Sequence, residues 1–376
     1  MGELGDSIVF TKRYAHADSG WDGIRLLNVD DASRMEYCVA EGARKSYSSY
    51  FPYSRGGGVY ISGCSPAFAR CSIRNNRTQL GEYVEGGGLA VIGGSPNLIQ
   101  CEITGNSSGT NWAGSVYCGN GSAARFEQCL ISQNSCGGVR VEGSGRPVFV
   151  QCQILDNSGE LAGIYLSEDS GAVFQDCIIA GNSGYHYGGV AAHSSSARLE
   201  RCLISRNVGR IPGFYCTGGS PRLIQCTVVG NRSTQFAYGT ILLSQTLAEI
   251  NSCIIERDEN GAAIVFSHSS TAQVIYSDFC GLPGSMFGSE AGGPPGIGIV
   301  ALTNANGDSC DAYYNIFLDP QFVDTAAGDY HLTAGSPCID AGDPALDPDP
   351  DGTVADMGAF YYHQLAAGEE RTAVRH

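Results

Sequence analysis

One short phrase of apolar and polar positions recurs along most of the chain, with the form apolar-x-x-Cys-x-apolar-x-x-Asn. An Asn stands five positions after seven consecutive cysteines of this phrase, from Asn76 to Asn231. A repeat of about 25 residues that can bury its apolar side only against its neighbours predicts a solenoid. The cysteines at the centre of the phrase are Cys38, Cys71, Cys101, Cys129, Cys152, Cys177, Cys202, Cys226 and Cys253.

The segment between each Asn and the next Cys predicts β-strands. It carries a glycine-led alternation, such as Gly-Val-Arg-Val at residues 138–141 and Gly-Ile-Tyr-Leu at 163–166. Alternation with a period of two is typical of a strand. A second strand, often opened by Ser-Pro, contains the Cys phrase, and no stretch has the 3.6-residue apolar period of a helix. The pattern therefore predicts an all-β fold, a parallel β-helix of about ten coils.

These motifs resemble a known group of proteins. The Cys-x-Ile-x-x-Asn phrase, the Gly-Gly-Val-Tyr strand and the Ser-Pro opening resemble the right-handed parallel β-helix repeat proteins of the pectate-lyase-like superfamily, over roughly residues 20–280. Residues 317–344 resemble the stretch that closes many bacterial extracellular members. The resemblance implies a β-helix over residues 1–280 and an irregular C-terminal capping extension over 281–376. That superfamily includes lyases, hydrolases, epimerases, adhesins and binding proteins, so function has to be argued from the site.

Charge narrows the possible partners. The formal net charge is -16, and the only lysines are Lys12 and Lys45. Nucleic acid and anionic membranes are poor partners for such a chain. The sequence has no recognisable signal peptide and no apolar run of the ~18 residues that would span a membrane. From the resemblance we expect a secreted or cell-surface protein of bacterial type, a monomer that interacts with a polysaccharide.

The cysteines predict a buried ladder rather than disulfides. Stacked coils lie about 4.8 Å apart with parallel Cβ vectors, which suits the disulfide torsion poorly. One cysteine per coil also offers no tetrahedral thiolate cluster for a metal. Among the cysteines outside the ladder, Cys280 and Cys310 form the pair best placed for a bridge.

Two further columns predict structural ladders. The Asn residues should bond amide to amide along the axis and tolerate the left-handed backbone of a turn. The residues immediately before each Cys should form a hydrogen-bonded surface row, with an ion pair between Asp176 and Arg201. That row is Tyr37, Arg70, Gln100, Gln128, Gln151, Asp176, Arg201 and Gln225.

A third column carries the candidate binding surface. With Val139 and Val141 directed inward, Arg140 points outward, and the next outward row contains Glu142 and His193, two coils or roughly 10 Å apart. Aromatic faces stack on sugar rings and an arginine pairs with carboxylates, although Tyr is also simply favoured on strand surfaces. The row in register with Arg140 is Arg25, Tyr60, Ala90, Tyr117, Arg140, Tyr165, Ala191 and Tyr215.

The turns that precede the glycine-led strands vary in length and hold further aromatic residues. Aromatic side chains along one edge would form a groove for an extended glycan, unless they fold back as caps over the sheet. These turn residues are Tyr83, Trp112, Tyr185, His186, Tyr187, Phe236 and Tyr238. The predicted substrate-binding residues are Trp112, Tyr117, Tyr187, Tyr215 and Tyr238.

Known catalytic patterns are mostly missing. The Asp pair and Gly-His-Gly of polygalacturonases are absent, and neither lysine lies in the central coils. For β-elimination on a uronate, Arg140 could neutralise the carboxylate, His186, His193 or a Tyr could act as base and Tyr165 as acid, with Glu142 as a further candidate. We therefore predict recognition of a polysaccharide, with acidic chains favoured. A polysaccharide lyase or glycoside hydrolase, and a structural or adhesin spacer, are the alternatives.

An acidic loop near the C-terminus predicts calcium. Asp347, Asp349 and Asp351 alternate, Gly352 occupies the sixth position and Asp356 follows. This matches the first half of a calcium loop, although position 12 is Gly358 and no flanking helices are apparent. A structural Ca²⁺ site is expected, with a solvated acidic loop as the alternative.

Overall fold

The computed structural model describes residues 7–12, 21–45, 55–79, 84–110, 112–235, 238–281, 285–289 and 293–364. Within these residues the regular structure consists of β-strands, with no helix and hence none that could cross a membrane. Three sheets of 11, 10 and 11 strands run along the molecule. Neighbouring strands in these sheets are parallel and come from successive repeats, so the chain climbs one coil per repeat. The predicted parallel β-helix of about ten coils is confirmed.

Each complete coil contributes one strand to each of the three sheets in turn. Coils are numbered here by their strand in the first sheet. The first sheet contains Ile24–Leu27, Val59–Ser62, Leu89–Ile92, Val116–Gly119, Val139–Val141, Ile164–Leu166, Val190–His193, Phe214–Thr217, Ile241–Ser244, Ile264–Ser267 and Phe287–Ser289. The second contains Arg34–Glu36, Ala67–Ala69, Asn97–Ile99, Arg125–Glu127, Val148–Val150, Val173–Gln175, Arg198–Glu200, Arg222–Ile224, Leu247–Asn251 and Thr271–Ile275. The third contains Ile8–Phe10, Cys38–Glu41, Ser72–Arg74, Glu102–Thr104, Leu130–Ser132, Gln153–Leu155, Ile178–Ala180, Leu203–Ser205, Thr227–Val229, Ile254–Arg257 and Asp278–Gly281.

Smaller sheets join the turns that lead back to the first sheet. Four short strands stack in coils five to eight: Ser158–Leu161, Ser183–Tyr187, Val208–Gly209 and Arg232–Ser233. Arg44–Lys45 pairs with Arg77–Thr78 nearer the N-terminus. These turns therefore have a regular backbone that can hold side chains at the edge of the first sheet.

The second predicted strand of each repeat is in fact two strands that meet at a corner. The residue before the cysteine takes a left-handed backbone, with φ of 52° at Gln100 and 53° at Asp176. A positive φ ends an extended strand, so the cysteine begins a new side of the coil.

The row before the cysteines stands on this corner and forms the predicted ladder. Arg70 Nε donates to Gln100 Oε1 at 3.0 Å, and Gln100 Nε2 donates to Gln128 Oε1 at 3.0 Å. Gln128 Nε2 continues to Gln151 Oε1 at 3.1 Å. The expected ion pair is also present, because Arg201 Nε lies 2.7 Å from Asp176 Oδ1.

The interior is a stack of apolar columns. The rings of Phe126, Phe149 and Phe174 stack at centroid distances of 4.5 and 4.8 Å. The ladder cysteines are buried and donate their thiols to backbone carbonyls, as Cys202 does to Phe174 O at 3.4 Å. All sixteen cysteines are free and buried, so Cys280 and Cys310, the pair best placed for a bridge, are not joined.

The asparagine column is a continuous buried ladder, as predicted. Asn134 Nδ2 donates to Asn157 Oδ1 at 2.9 Å, and Asn157 Nδ2 donates to Asn182 Oδ1 at 3.0 Å. Each amide also reaches a backbone carbonyl, for example Ile131 O from Asn157 at 2.9 Å. Such chains satisfy polar groups that would otherwise be costly to bury. The left-handed residue is the one before the Asn, such as Asp156 with φ of 54°, rather than the Asn itself.

The C-terminal extension does more than cap the coil. The first sheet continues to Phe287–Ser289, beyond the predicted boundary, and Ile316 then bridges Asp278 at the end of the third sheet. The chain next folds back over the outer face of that sheet, where Ala359 N donates to Thr227 Oγ1 at 2.9 Å. Its strands are Leu302–Thr303 with Ser309–Cys310, and Phe322–Asp324 with Asp329–Leu332. Its apolar contacts join Tyr330, Leu332 and Met357 to Leu203, Val229 and Ile254.

Candidate functional site

The predicted outward row is present in the first sheet. Cα pairing places Tyr117 beside Arg140, Arg140 beside Tyr165, and Ala191 between Tyr165 and Tyr215. One step further along the strands, the same register aligns Glu142, Ser167 and His193. The two candidate rows therefore lie next to each other on one outer face, as the alternation of the sequence predicts.

The N-terminal part of this face is covered. Tyr60 and Tyr117 are only 2% and 3% exposed, and together with Ala90 they form a small apolar cluster outside the coil. The guanidinium of Arg55 lies 4.9 Å from the ring centroid of Tyr117 and pairs with Glu85 at 2.6 Å. The expectation that Tyr117 offers its ring to a ligand is wrong, because Arg55 and Glu85, from the turns that lead into coils two and three, cover it.

Tyr117 instead supports the polar centre of the site. Its hydroxyl donates to Glu142 Oε2 at 3.2 Å. Burial raises the pKa of Tyr117, so the phenol remains a hydrogen-bond donor at neutral pH.

Arg140 and Glu142 form an ion pair at the edge of the covered region. Arg140 Nε donates to Glu142 Oε1 at 2.8 Å, and Nη2 contacts the same oxygen. Arg140 Nη1 donates to the carbonyl of Trp112. Ser167 Oγ lies 3.4 Å from Glu142 Oε1, so the carboxylate has three side-chain partners. The charge of Arg140 is thus balanced within the protein by Glu142.

Beyond this pair, His193 lies among three tyrosine rings. Its centroid is 5.2 Å from Tyr165, 5.7 Å from Tyr187 and 5.1 Å from Tyr215. Tyr187 and Tyr215 stack on each other at 4.8 Å. All four side chains are half-buried, so part of each aromatic surface remains open.

The state of His193 follows from its surroundings. Burial lowers the pKa of His193, so the ring is neutral at physiological pH. Its Nε2 is buried without a hydrogen-bond partner among the described residues. Because this nitrogen is buried by the surrounding rings, it is not open to a ligand in this arrangement.

The aromatic turns contact this cluster. His186 lies 6.1 Å from Tyr187 and 6.2 Å from Trp112, while Tyr185 is 70% exposed. An open depression of about 500 Å³ adjoins Tyr185 and is lined by Ser135, Ser158, Gly159, Glu160 and Tyr185. The turns therefore border the first sheet as a side wall. Tyr83 and Phe236 lie outside the described residues.

The wall continues toward coil nine. The guanidinium of Arg210 lies 4.3 Å from the ring centroid of Tyr238 and hydrogen-bonds its hydroxyl. Arg210 also interacts electrostatically with Tyr187. Of the predicted site residues, the structure brings together Arg140, Glu142, Tyr165, His186, His193, Trp112, Tyr187 and Tyr215, with Tyr238 at one end and the buried Tyr117 at the other.

Four contributing residues were not predicted from the sequence. Ser167 occupies the same row as Glu142 and His193, so the period-two pattern could have identified it. Arg55, Glu85 and Arg210 come from irregular turns, where no periodicity fixes the direction of a side chain.

The acidic loop is a separate cluster in the C-terminal extension. Asp349 Oδ2 accepts from Asp356 N at 2.8 Å, and Asp356 accepts from the backbone of Asp340 and Tyr362 at 2.7 and 2.6 Å. Burial, followed by repulsion from neighbouring carboxylates, raises the pKa of Asp349 to about 6 and that of Asp356 to about 8.

This geometry leaves the calcium prediction untested. Asp347 is exposed, whereas Asp351 accepts from Thr353 Oγ1 at 2.8 Å. No group of three or more metal-ligating side chains is assembled within the described part of the chain. The carboxylates that could bind a cation here, Asp349 and Asp356, are at present satisfied mainly by backbone N–H groups.

Comparison with known proteins identifies the family. A family model described as right handed beta helix region matches residues 13–159 and 100–279. The chain belongs to this right-handed β-helix family. Among solved structures it is similar to pectate lyase Pel9A, with a TM-score of 0.48 and 14% sequence identity over 96% of this chain and 84% of that one. No curated protein matches it. Membership of the family establishes the fold and leaves the function to the site.

Proposed function

We propose that this β-helix protein binds a polysaccharide in the groove over coils five to eight of the first sheet. The observation that carries the proposal is the cluster of half-exposed rings of Tyr165, Tyr187 and Tyr215 around His193. Sugar rings present apolar C–H faces, and aromatic side chains bind such faces by stacking. The rings follow one another along the helix axis, so together they form a surface that suits an extended polysaccharide chain.

The polar groups beside the rings suit sugar hydroxyls. Arg140 presents a planar set of donors, and Glu142 presents acceptor oxygens. A paired donor and acceptor can exchange part of their mutual hydrogen bonding for contacts with neighbouring hydroxyls. Trp112 and His186 border this position from the side and can cover the bound sugar.

The charge of the preferred polysaccharide is the finer part of the proposal. The carboxylates of an acidic polysaccharide would pair with the guanidinium of Arg140, which Glu142 also contacts. A neutral polysaccharide would bind while the ion pair between Arg140 and Glu142 stays in place. A comparison of polygalacturonate and alginate with neutral xylan decides between them. By analogy of fold class, we propose that this recognition takes place outside the cell or at its surface.

Cleavage of the bound chain is the second candidate function, and His193 is the observation that favours it. A neutral imidazole in a half-buried aromatic cluster can act as a general base, and the adjacent Tyr165 keeps its proton because burial raises its pKa. Glu142, His186 and Arg140 are the other catalytic candidates. Lyase activity would appear as unsaturated uronate absorbing near 235 nm, and hydrolase activity as new reducing ends.

The experiment that tests the proposed function is a glycan array that includes polygalacturonate, alginate and xylan, followed by calorimetry on each binder. Binding to at least one polysaccharide, lost in a Tyr165→Ala and Tyr215→Ala double variant, is the expected result. Absence of binding to every polysaccharide would contradict the proposal and favour a structural spacer.

A further inference from the structure

The exposure of the outward row changes abruptly along the helix axis. Tyr60, Ala90 and Tyr117, in coils two to four, are almost completely buried. From Tyr165 in coil six to Leu242 in coil nine the row is half-buried, apart from the small Ala191. Because these residues occupy one continuous register, the difference reflects what covers them. The groove is closed at its N-terminal side by coils two to four and is open up to coil nine, before Val265 of coil ten is nearly buried again at 8% exposed.

The cover over Tyr117 consists of the side chains of Arg55 and Glu85, which form a buried ion pair. Arg55 lies over the ring of Tyr117 and pairs with Glu85, and their side chains are 7% and 14% exposed. Removing one partner of a buried pair leaves an uncompensated charge, which is strongly unfavourable. A neighbouring contact holds the first coils in the same way, because Arg25 donates to Gly56 O beside Tyr60. The closed end is thus a fixed part of the fold.

The wall at this closed end is polar on the groove side. The Tyr117 hydroxyl, Glu142 and Arg140 form a connected set that reaches the carbonyl of Trp112. A polysaccharide bound along the half-exposed rings would reach these polar side chains with its end and could not extend past them over the covered coils. The last sugar of a chain carries a free hydroxyl where an internal sugar carries a linkage, and Glu142 can accept a hydrogen bond from it.

We propose that the groove receives the end of a polysaccharide chain and not its middle, with the terminal sugar against Arg140 and Glu142. This inference rests on the proposed function and adds the position on the polymer that is recognised. The half-buried rings of Tyr165, Tyr187 and Tyr215 then hold the following sugars.

The test measures how many protein molecules bind each polysaccharide chain. Size-fractionated polygalacturonate and xylan, in short, intermediate and long fractions, are titrated into the protein, and stoichiometry is read by calorimetry and by light scattering. Terminal recognition predicts one protein per chain at every length, with the same affinity per chain. A number of bound proteins that rises with chain length would overturn it while leaving the proposed function in place. No binding to either polymer or to any glycan of the array would overturn both.

A variant tests the cover itself. Arg55→Ala together with Glu85→Ala removes both charges, so that neither is left buried alone. With the groove opened over Tyr117, we expect more than one bound protein on each long chain. Folding of the variant is checked by its melting curve, and Arg125→Ala with Glu127→Ala, an exposed pair on the second sheet, is the matched control. An unchanged stoichiometry in a folded Arg55 and Glu85 variant would overturn the role of this cover.

Discussion

Arg140 and Glu142 are two residues apart on one outward face, and Arg140 Nε donates to Glu142 Oε1 at 2.8 Å. The pair lies at the border between the covered coils and the open aromatic groove. Its members are 20% and 14% exposed, so their charges are only partly screened by water. The pair therefore sets the electrostatic character of the groove, since no separate free cation remains at this point of the row.

Glu142→Gln should shift the charge preference of the groove. The change removes a negative charge beside Arg140 and retains one carbonyl oxygen, which can accept from either Tyr117 or Ser167 because these two hydroxyls contact different oxygens of Glu142. We expect affinity for polygalacturonate to rise about tenfold, or ~1.4 kcal/mol, relative to xylan. Calorimetry at low and high salt measures this effect, and the gain should shrink with salt. Equal changes for the acidic and neutral polymers would contradict this account of the pair.

The cysteine ladder should be inert in the folded protein. Burial raises the pKa of the ladder thiols Cys202 and Cys226, and it raises the pKa of Cys118 and Cys136, outside the ladder, to about 12. A hydrogen bond from Cys101 lowers the pKa of Cys71 and Cys129, so the inertness of these two rests on their burial and not on their pKa. A buried thiol is a poor nucleophile, so iodoacetamide should label none of the cysteines rapidly before unfolding and all sixteen afterwards. Intact mass measured during a denaturant series checks this. Rapid labelling of Cys152 or Cys177 in the native protein would contradict the ladder.

The same column should tolerate a small residue but not a charge. Cys177→Arg would place an unpaired guanidinium between stacked coils and should abolish cooperative folding. Cys177→Ala is the matched control and should cost only about 1–2 kcal/mol, because it removes one sulfur from a packed site. Urea unfolding measures both. A stable Cys177→Arg protein would mean that this position is not a closed core.

The acidic loop should make stability depend on pH. The folded pKa values of Asp349 and Asp356, about 6 and about 8, lie above the usual carboxyl value of 3.8. Their contribution to stability is therefore fully present below that usual value and is lost as pH rises through 6 and then 8. Asp356→Asn should make the melting temperature less dependent on pH between pH 6 and pH 8. Asp324→Asn, at an exposed position of the same extension, should leave this pH dependence unchanged.

Calcium should oppose this loss if the loop binds it. A cation held by Asp347, Asp349, Asp351 and Asp356 would replace the missing protons, so millimolar calcium should raise the melting temperature more at pH 8 than at pH 5. Asp349→Ala should remove the increase. An unchanged melting curve at both pH values would leave this segment as a hydrogen-bonded acidic turn.

The fold and the outward rows could be predicted because periodicity determines them. A period of two decides which side chains leave the strand, so the alignment of Arg140 with Tyr165 and Tyr215 followed from the sequence. The corner before each cysteine was missed because Gln, Arg and Asp, and not Gly, take the left-handed backbone there.

The covered half of the face could not be predicted for a different reason. Arg55 and Glu85 reach Tyr117 from turns of unequal length, and the path of such a turn depends on contacts between coils. The same limit applies to the C-terminal extension, which has no repeat and folds back on Thr227 and Asn251 through individual hydrogen bonds. The conformation of these segments is determined by tertiary contacts and not by the local sequence pattern.

The central claim is that sugars bind to the aromatic groove of the first sheet, and Tyr165 tests it against a close control. Tyr165 has Arg140 at 5.5 Å from its ring centroid, and Tyr37, on the corner before Cys38, has Arg70 at the same distance of 5.5 Å. Both tyrosines are half-buried outward residues, so replacing either should change stability to a similar extent. They differ in which face of the coil they occupy.

The decisive measurement is the affinity of wild type, Tyr165→Ala and Tyr37→Ala for the best-binding polysaccharide, determined by calorimetry under one set of conditions. Loss of stacking area should weaken binding by about 1–2 kcal/mol in Tyr165→Ala, roughly a five- to thirtyfold change, while Tyr37→Ala should bind like wild type. Equal affinity of all three proteins, or a loss confined to Tyr37→Ala, would contradict the assignment of the groove.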